Sequence, residues 1–120
     1  MDRTFLLVGA VAGFIGVGLG AFGAHGLRGR LTPEMLAVFE TGVRYQMYHA
    51  LALLLTSALV PRMPGKALVA AGWFFTGGIV LFSGSLYLLA VTGVTILGAI
   101  TPIGGVAFLA GWLALILATL

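Results

Sequence analysis

The sequence predicts an all-α, four-span transmembrane helix bundle, and three observations predict it. Composition is the first: 61% of the 120 residues are hydrophobic and 8% are charged, with a mean hydropathy of +1.18, whereas about one-quarter of a soluble domain is charged. The second is the presence of four apolar runs divided by turn-forming residues, each near the roughly 20 residues that cross a bilayer. The third is the set Gly9, Gly13, Gly16, Gly20 and Gly23, spaced by fours and threes within the first run. Such spacing lays a groove without side chains along one helix face, where a second backbone can approach closely in lipid. This length accommodates a single membrane domain over 1–120, with no room for a soluble domain beside it.

The first span is expected at about 5–24, after Asp2, Arg3 and Thr4. A signal peptide is the competing reading, but the run is too long for an h-region and no small-x-small cleavage pattern follows. Glycines 23, 26 and 29 are expected to end the helix in a loop carrying His25, Arg28 and Arg30.

Thr32, Pro33 and Glu34 read as the start of helix two: a hydroxyl cap, proline in the first turn, and a carboxylate at the positive end of the dipole. No breaker stronger than Gly42 precedes Pro61. A helix over 33–60 would be about 42 Å long, so its start at about 33–42 is interfacial and its span lies at 43–60. Leu36, Phe39, Val43, Met47 and Ala50 share one arc at helical spacing. Glu40, Thr41, Arg44, Tyr45 and Tyr48 fall opposite, with His49 at the arc's edge, so helix two is long and amphipathic at its start. Residues 61–66, with Arg62, Pro64 and Gly65, form a turn.

The third span is expected at about 67–90, where Ala70, Gly77 and Gly84 recur every seven residues. Thr92 and Gly93 then turn the chain. In the fourth span, about 102–119, Pro102 either begins the helix after a Thr101 cap or kinks one begun near Ile96, and the first reading is favoured. Gly104, Ala107, Gly111, Ala114 and Ala118 repeat the small-residue spacing. Gly9, Gly13, Gly16, Gly20, Gly23, Gly104 and Gly111 are thus the expected packing surface, with helices one and four facing each other.

The net charge of +3 comes from six scattered cations, which is no nucleic-acid-binding stripe. Cysteine is absent, excluding disulfides and thiolate metal sites. Arg3, Arg62 and Lys66 fall on one side of a four-span bundle, and Arg28, Arg30 and Arg44 on the other. Arg44 follows Glu40 by one turn, in the order favourable for an i, i+4 pair. Treating it as held inside the bundle places both termini in the cytoplasm.

Four spans also gather the polar residues in one leaflet: His25, Glu40, Arg44, Tyr45, Tyr48, His49, Ser83, Ser85, Tyr87 and Thr101. Ionisable groups in membrane segments usually face a partner or water, so a polar vestibule is expected there. The alternative is that the start of helix two floats among headgroups, with Arg44 snorkelling and the tyrosines in the aromatic belt. His49, about 7.5 Å deeper than Arg44, argues for the vestibule. His25 and His49 raise a haem or metal reading, but the usual ligand spacings are missing. No catalytic triad order, HExxH motif, paired carboxylates or phosphate loop occurs. No catalytic residue, metal or cofactor is expected, and the chain is expected not to be an enzyme.

GAFGAHGL at 20–27, FETGVRYQMYHALAL at 39–53, FSGSLY at 82–87 and LGAITPIGG with the later GW at 97–112 resemble the small membrane-protein family called domain of unknown function 423, itself similar to the animal transmembrane protein 256. The resemblance touches all four spans. It implies a four-helix membrane protein, without activity, substrate or cofactor, and it places recognisable polar positions at His25, Tyr45, Gln46, Tyr48, His49, Ser83 and Ser85. The expected role is a structural or accessory component of a bacterial plasma (inner) membrane, in contact with lipids and with a homo-oligomer as candidate assembly. A carrier or channel for a small solute or lipid headgroup is the alternative, and a haem or quinone redox protein is a third reading.

Overall fold

A computed structural model describes residues 2–63 and 65–120, the side chain of Asp2 excepted, and every regular element among them is helical. Helix α1 is α-helical over Asp2–Gly18, widens into a π-turn at Leu19–Gly23 and returns to α geometry over Ala24–Leu27. Helix α2 is unbroken over Pro33–Leu59. Helix α3 comprises Ala67–Gly78, a π-turn at Ile79–Ser83 and Gly84–Thr92, and a 3-10 turn at Thr95–Ala99 leads into α4, Thr101–Ala118. Arg3–Leu27, Ala67–Thr92 and Thr95–Ala118 are each long and apolar enough to cross a membrane.

Local chemistry accounts for the ends. Thr32 caps α2, its Oγ1 accepting from Met35 N at 3.1 Å. Gly93 closes α3 with φ +72°, a left-handed conformation that glycine adopts without a Cβ penalty. Helix α1 outlasts the expected end near 24, because Gly23 and Gly26 stay helical and the turn comes at Gly29, φ +86°. In a membrane the backbone must bond to itself, which keeps glycines helical that would end a helix in water. Pro102 lies in the first turn of α4, as favoured, but Thr101 is no cap; the capping position is Ile100. The part of the 61–66 turn that rests on Pro64 lies outside the described residues.

The chain folds as successive antiparallel neighbours, α1 on α2, α2 on α3 and α3 on α4. The core holds Phe5, Ala52, Leu53, Ala71, Phe75, Phe108 and Ala114. Small residues position these contacts, though not always as their spacing suggested. A Cβ added at Gly9 would lie 3.0 Å from Ala50 O, and one at Gly20 would lie 3.1 Å from Val43 Cγ1. Gly16 meets Met47 and Gly23 meets Phe39. Gly13 meets nothing within 4 Å. From Gly9, residue 13 is rotated about 40° one way and residue 16 about 20° the other, so Gly13 turns off the α2 contact into an open groove.

Gly104 and Gly111 of α4 pack on Phe82 and Phe75 of α3, so α4 directs these glycines at α3 and not at α1. The seven-residue repeat of α3 is not its packing face either: Gly77 and Gly84 have open space, whereas Gly72 and Gly78 receive the rings of Phe5 and Phe108.

Candidate functional site

Helix α2 buries a face centred on Gly42, Gln46, His49 and Leu53, between the two arcs read from the sequence. A helix with neighbours on several sides buries a wide arc, and here that arc includes polar side chains. Each must find a partner, since an unbonded polar group in an apolar medium costs several kcal/mol, roughly 2–7.

Gln46, 4% exposed, bridges three helices. Its Nε2 donates to Ala12 O of α1 at 2.8 Å, and its Oε1 accepts from Tyr87 Oη of α3 at 2.6 Å. The carbonyl of Ala12 can only accept, which fixes the amide orientation. One turn earlier, Ser83 Oγ donates to Gly42 O at 2.7 Å. On the far side of α3, Ser85 Oγ donates to Phe82 O at 2.9 Å and accepts from Thr101 Oγ1 of α4 at 2.6 Å. The Thr101 hydroxyl therefore ties two helices instead of capping one.

His49 joins α2 to α4. Trp112 Nε1 donates to its Nε2 at 3.1 Å, and the Nδ1 lies 2.7 Å from Tyr45 O. An indole N–H cannot accept and a carbonyl cannot donate, so both bonds form only in the neutral tautomer protonated at Nδ1. The imidazole stacks on Phe108 at 3.5 Å between centroids and 7° between planes. Both ring nitrogens are engaged, leaving no lone pair for a haem iron or metal. His25 is exposed, and its level on α1 lies near that of residue 37, on the order of 18 Å from His49 along the bundle. The two histidines share no site.

Of the vestibule residues, Gln46, His49, Ser83 and Ser85 are buried, while His25, Glu40, Arg44, Tyr45 and Tyr48 are exposed. Arg44 does not pair with Glu40; its Nη2 donates to Thr41 Oγ1 at 3.2 Å. Among the described residues, no buried side-chain nitrogen or oxygen lacks a partner. The buried members thus bond helix to helix, and the charged members stand outside.

Tyr45, Tyr48 and His49 do share a cavity, of about 450 Å³, with Phe82, Gly105, Phe108, Leu109 and Trp112. Phe108 and Trp112 were not singled out from the sequence. Their only signal was a four-residue aromatic spacing beside Gly105, which an ordinary packing face would also show. Tyr87 and Thr101 belong to the polar set read from the sequence, but their partners, Gln46 and Ser85, depend on tertiary contacts.

The family model described as "Protein of unknown function (DUF423)" matches residues 19–105. The chain is 50% identical over 117 residues to the UPF0382 membrane protein YwdK of Bacillus subtilis, covering 97% of this chain and 95% of that protein. It is 51% identical over 118 residues to a UPF0382 membrane protein of Staphylococcus epidermidis, covering 98% and 96%. No solved structure matches. With closely similar membrane proteins along nearly its whole length and a family model over most of it, the chain belongs to the uncharacterised membrane-protein family DUF423.

Proposed function

We propose that the protein is a non-catalytic, four-span bundle serving as a structural or accessory component of the bacterial plasma membrane, with α2 as its polar hub. The observation that carries this reading is the closed set of bonds from α2 to all three other helices, through Gln46, His49 and the Gly42 carbonyl. Arg44, Gln46 and His49 make α2 the least apolar of the four helices. Internal pairing removes the penalty of carrying Gln46 and His49 through hydrocarbon, and this supports α2 as the fourth span. Arg44 is exposed at the start of that span instead of held inside the bundle and snorkels to the Pro33 side, so Arg28, Arg30 and Arg44 balance Arg3, Arg62 and Lys66 and the charge count favours neither orientation. The exposed apolar side chains of all four helices suit contact with lipid or with further copies.

Two measurements test this. The chain has no cysteine, so Leu51→Cys, on the exposed face of α2, supplies a single thiol. It should resist a membrane-impermeant maleimide and react with a lipid-soluble one; rapid labelling by the impermeant reagent would show that α2 does not cross. In proteoliposomes, fluxes of protons and small solutes should equal those of empty vesicles. A protein-dependent flux would instead favour the carrier or channel reading.

A further inference from the structure

We propose that the cavity between α2 and α4 binds the head of a membrane quinone: a flat, uncharged ring with carbonyl acceptors and an apolar tail. The inference rests on the reading of α2 as a span and adds a ligand to it.

Depth and hydrogen bonding carry the argument. Gly16, midway along the apolar Arg3–Leu27 helix, meets Met47, so the neighbouring Tyr48 stands at the middle level of the bundle, deeper than a span starting at 43 would put it and away from the headgroup belt where tyrosines usually sit. Its side chain is 54% exposed, and that of Tyr45 is 38% exposed. Neither hydroxyl has a hydrogen-bond partner among the described residues. In water that would mean nothing. In hydrocarbon, two phenol groups without acceptors are unfavourable, and a ligand bearing carbonyl oxygens would satisfy them.

The lining limits the ligand further. No charged side chain faces the cavity, and His49 is held neutral by its two bonds, its acceptor nitrogen already engaged by Trp112. The site therefore offers donors and aromatic faces, with nothing to neutralise an ion. A quaternary ammonium would suit an aromatic cage, but at this depth it would have to leave the headgroup layer without a counter-charge. Aromatic walls favour stacking with a flat ring. A volume of about 450 Å³ lies within the roughly 300–1,000 Å³ of small-molecule sites. Leu109, at the cavity's edge, is 70% exposed, leaving a route by which a tail can remain in the bilayer.

The structure supplies its own reporter. Trp112 lines the cavity, whereas the other tryptophan, Trp73, packs on Phe5 at 5.3 Å. In Trp73→Phe protein reconstituted in nanodiscs, titration with a decyl-chain benzoquinone should quench Trp112 fluorescence saturably, beyond the linear collisional quenching by quinone dissolved in lipid. Gly105→Leu fills the cavity. A Cβ at Gly105 finds only Phe82 Cδ2, at 3.9 Å, so the variant should fold and lose the saturable component. Tyr45→Phe with Tyr48→Phe, at two exposed positions, should raise the half-saturating concentration about tenfold and guards against misfolding of the glycine variant. Linear quenching alone, or saturable quenching unchanged in the double tyrosine variant, would overturn the proposal. If Leu51→Cys reacts with the impermeant reagent, the span reading fails and this inference with it; if that thiol is protected and quenching is only linear, the quinone site alone fails.

Discussion

Replacing Gln46 by leucine tests the polar hub most directly. The wild-type side chain makes two interhelical bonds, to Ala12 O at 2.8 Å and from Tyr87 Oη at 2.6 Å. Interhelical bonds measured in membrane proteins average about 0.6 kcal/mol and reach about 1.7, which puts their direct loss at roughly 1–3 kcal/mol. The two losses differ in kind. The Ala12 carbonyl is helical and keeps an acceptor role within α1, whereas the Tyr87 hydroxyl becomes an orphan, at about 1–3 kcal/mol. Gln46→Leu should therefore destabilise by about 2 kcal/mol and Tyr87→Phe by about 1. The double variant should lose only about 1, because without the hydroxyl nothing is orphaned by removing the amide. The coupling of about 2 kcal/mol can be measured as a double-mutant cycle by unfolding in mixed micelles, followed by tryptophan fluorescence. Losses that add to within about 0.3–0.5 kcal/mol, as independent sites do, would refute the reasoning.

Two further predictions concern packing and charge. A methyl at Gly104 would overlap the backbone nitrogen of Phe82 and lie 2.8 Å from its Cα, and backbone cannot rotate aside, so Gly104→Ala should destabilise by about 1–3 kcal/mol or more. Gly13→Ala, with nothing within 4 Å, should be neutral or stabilise by up to about 1 kcal/mol through helix propensity; thermal unfolding of both in detergent gives the comparison, and equal losses would contradict it. Arg44 donates to Thr41 and stands exposed, so a Glu40/Arg44 double-mutant cycle should show coupling of at most about 1 kcal/mol that fades with salt. Strong coupling that persists in high salt would place the two side chains in a buried pair instead.

The sequence by itself determined the class of this protein and most of its helix limits, because those depend on local composition. Long apolar runs require hydrogen bonds within the segment, Pro33 fits a helix best in its first turn, where Thr32 caps it, and Gly93 supplies the left-handed residue that ends one. The polar residues were also legible as a group, since side chains such as Gln46 and His49 stand out wherever hydrophobicity is the rule. Tertiary structure alone decided what each feature meets. Glycine spacing marks a face able to admit a neighbour but does not say whether a backbone, an aromatic ring or lipid will fill it. Gly104 takes the backbone of Phe82, Gly72 takes the ring of Phe5, and Gly13 takes nothing from the protein. Likewise, whether Gln46 or Arg44 turns inward follows from a rotation of α2 against three neighbours. That rotation is set by the sum of packing across the bundle, and the sequence of a single helix does not contain it.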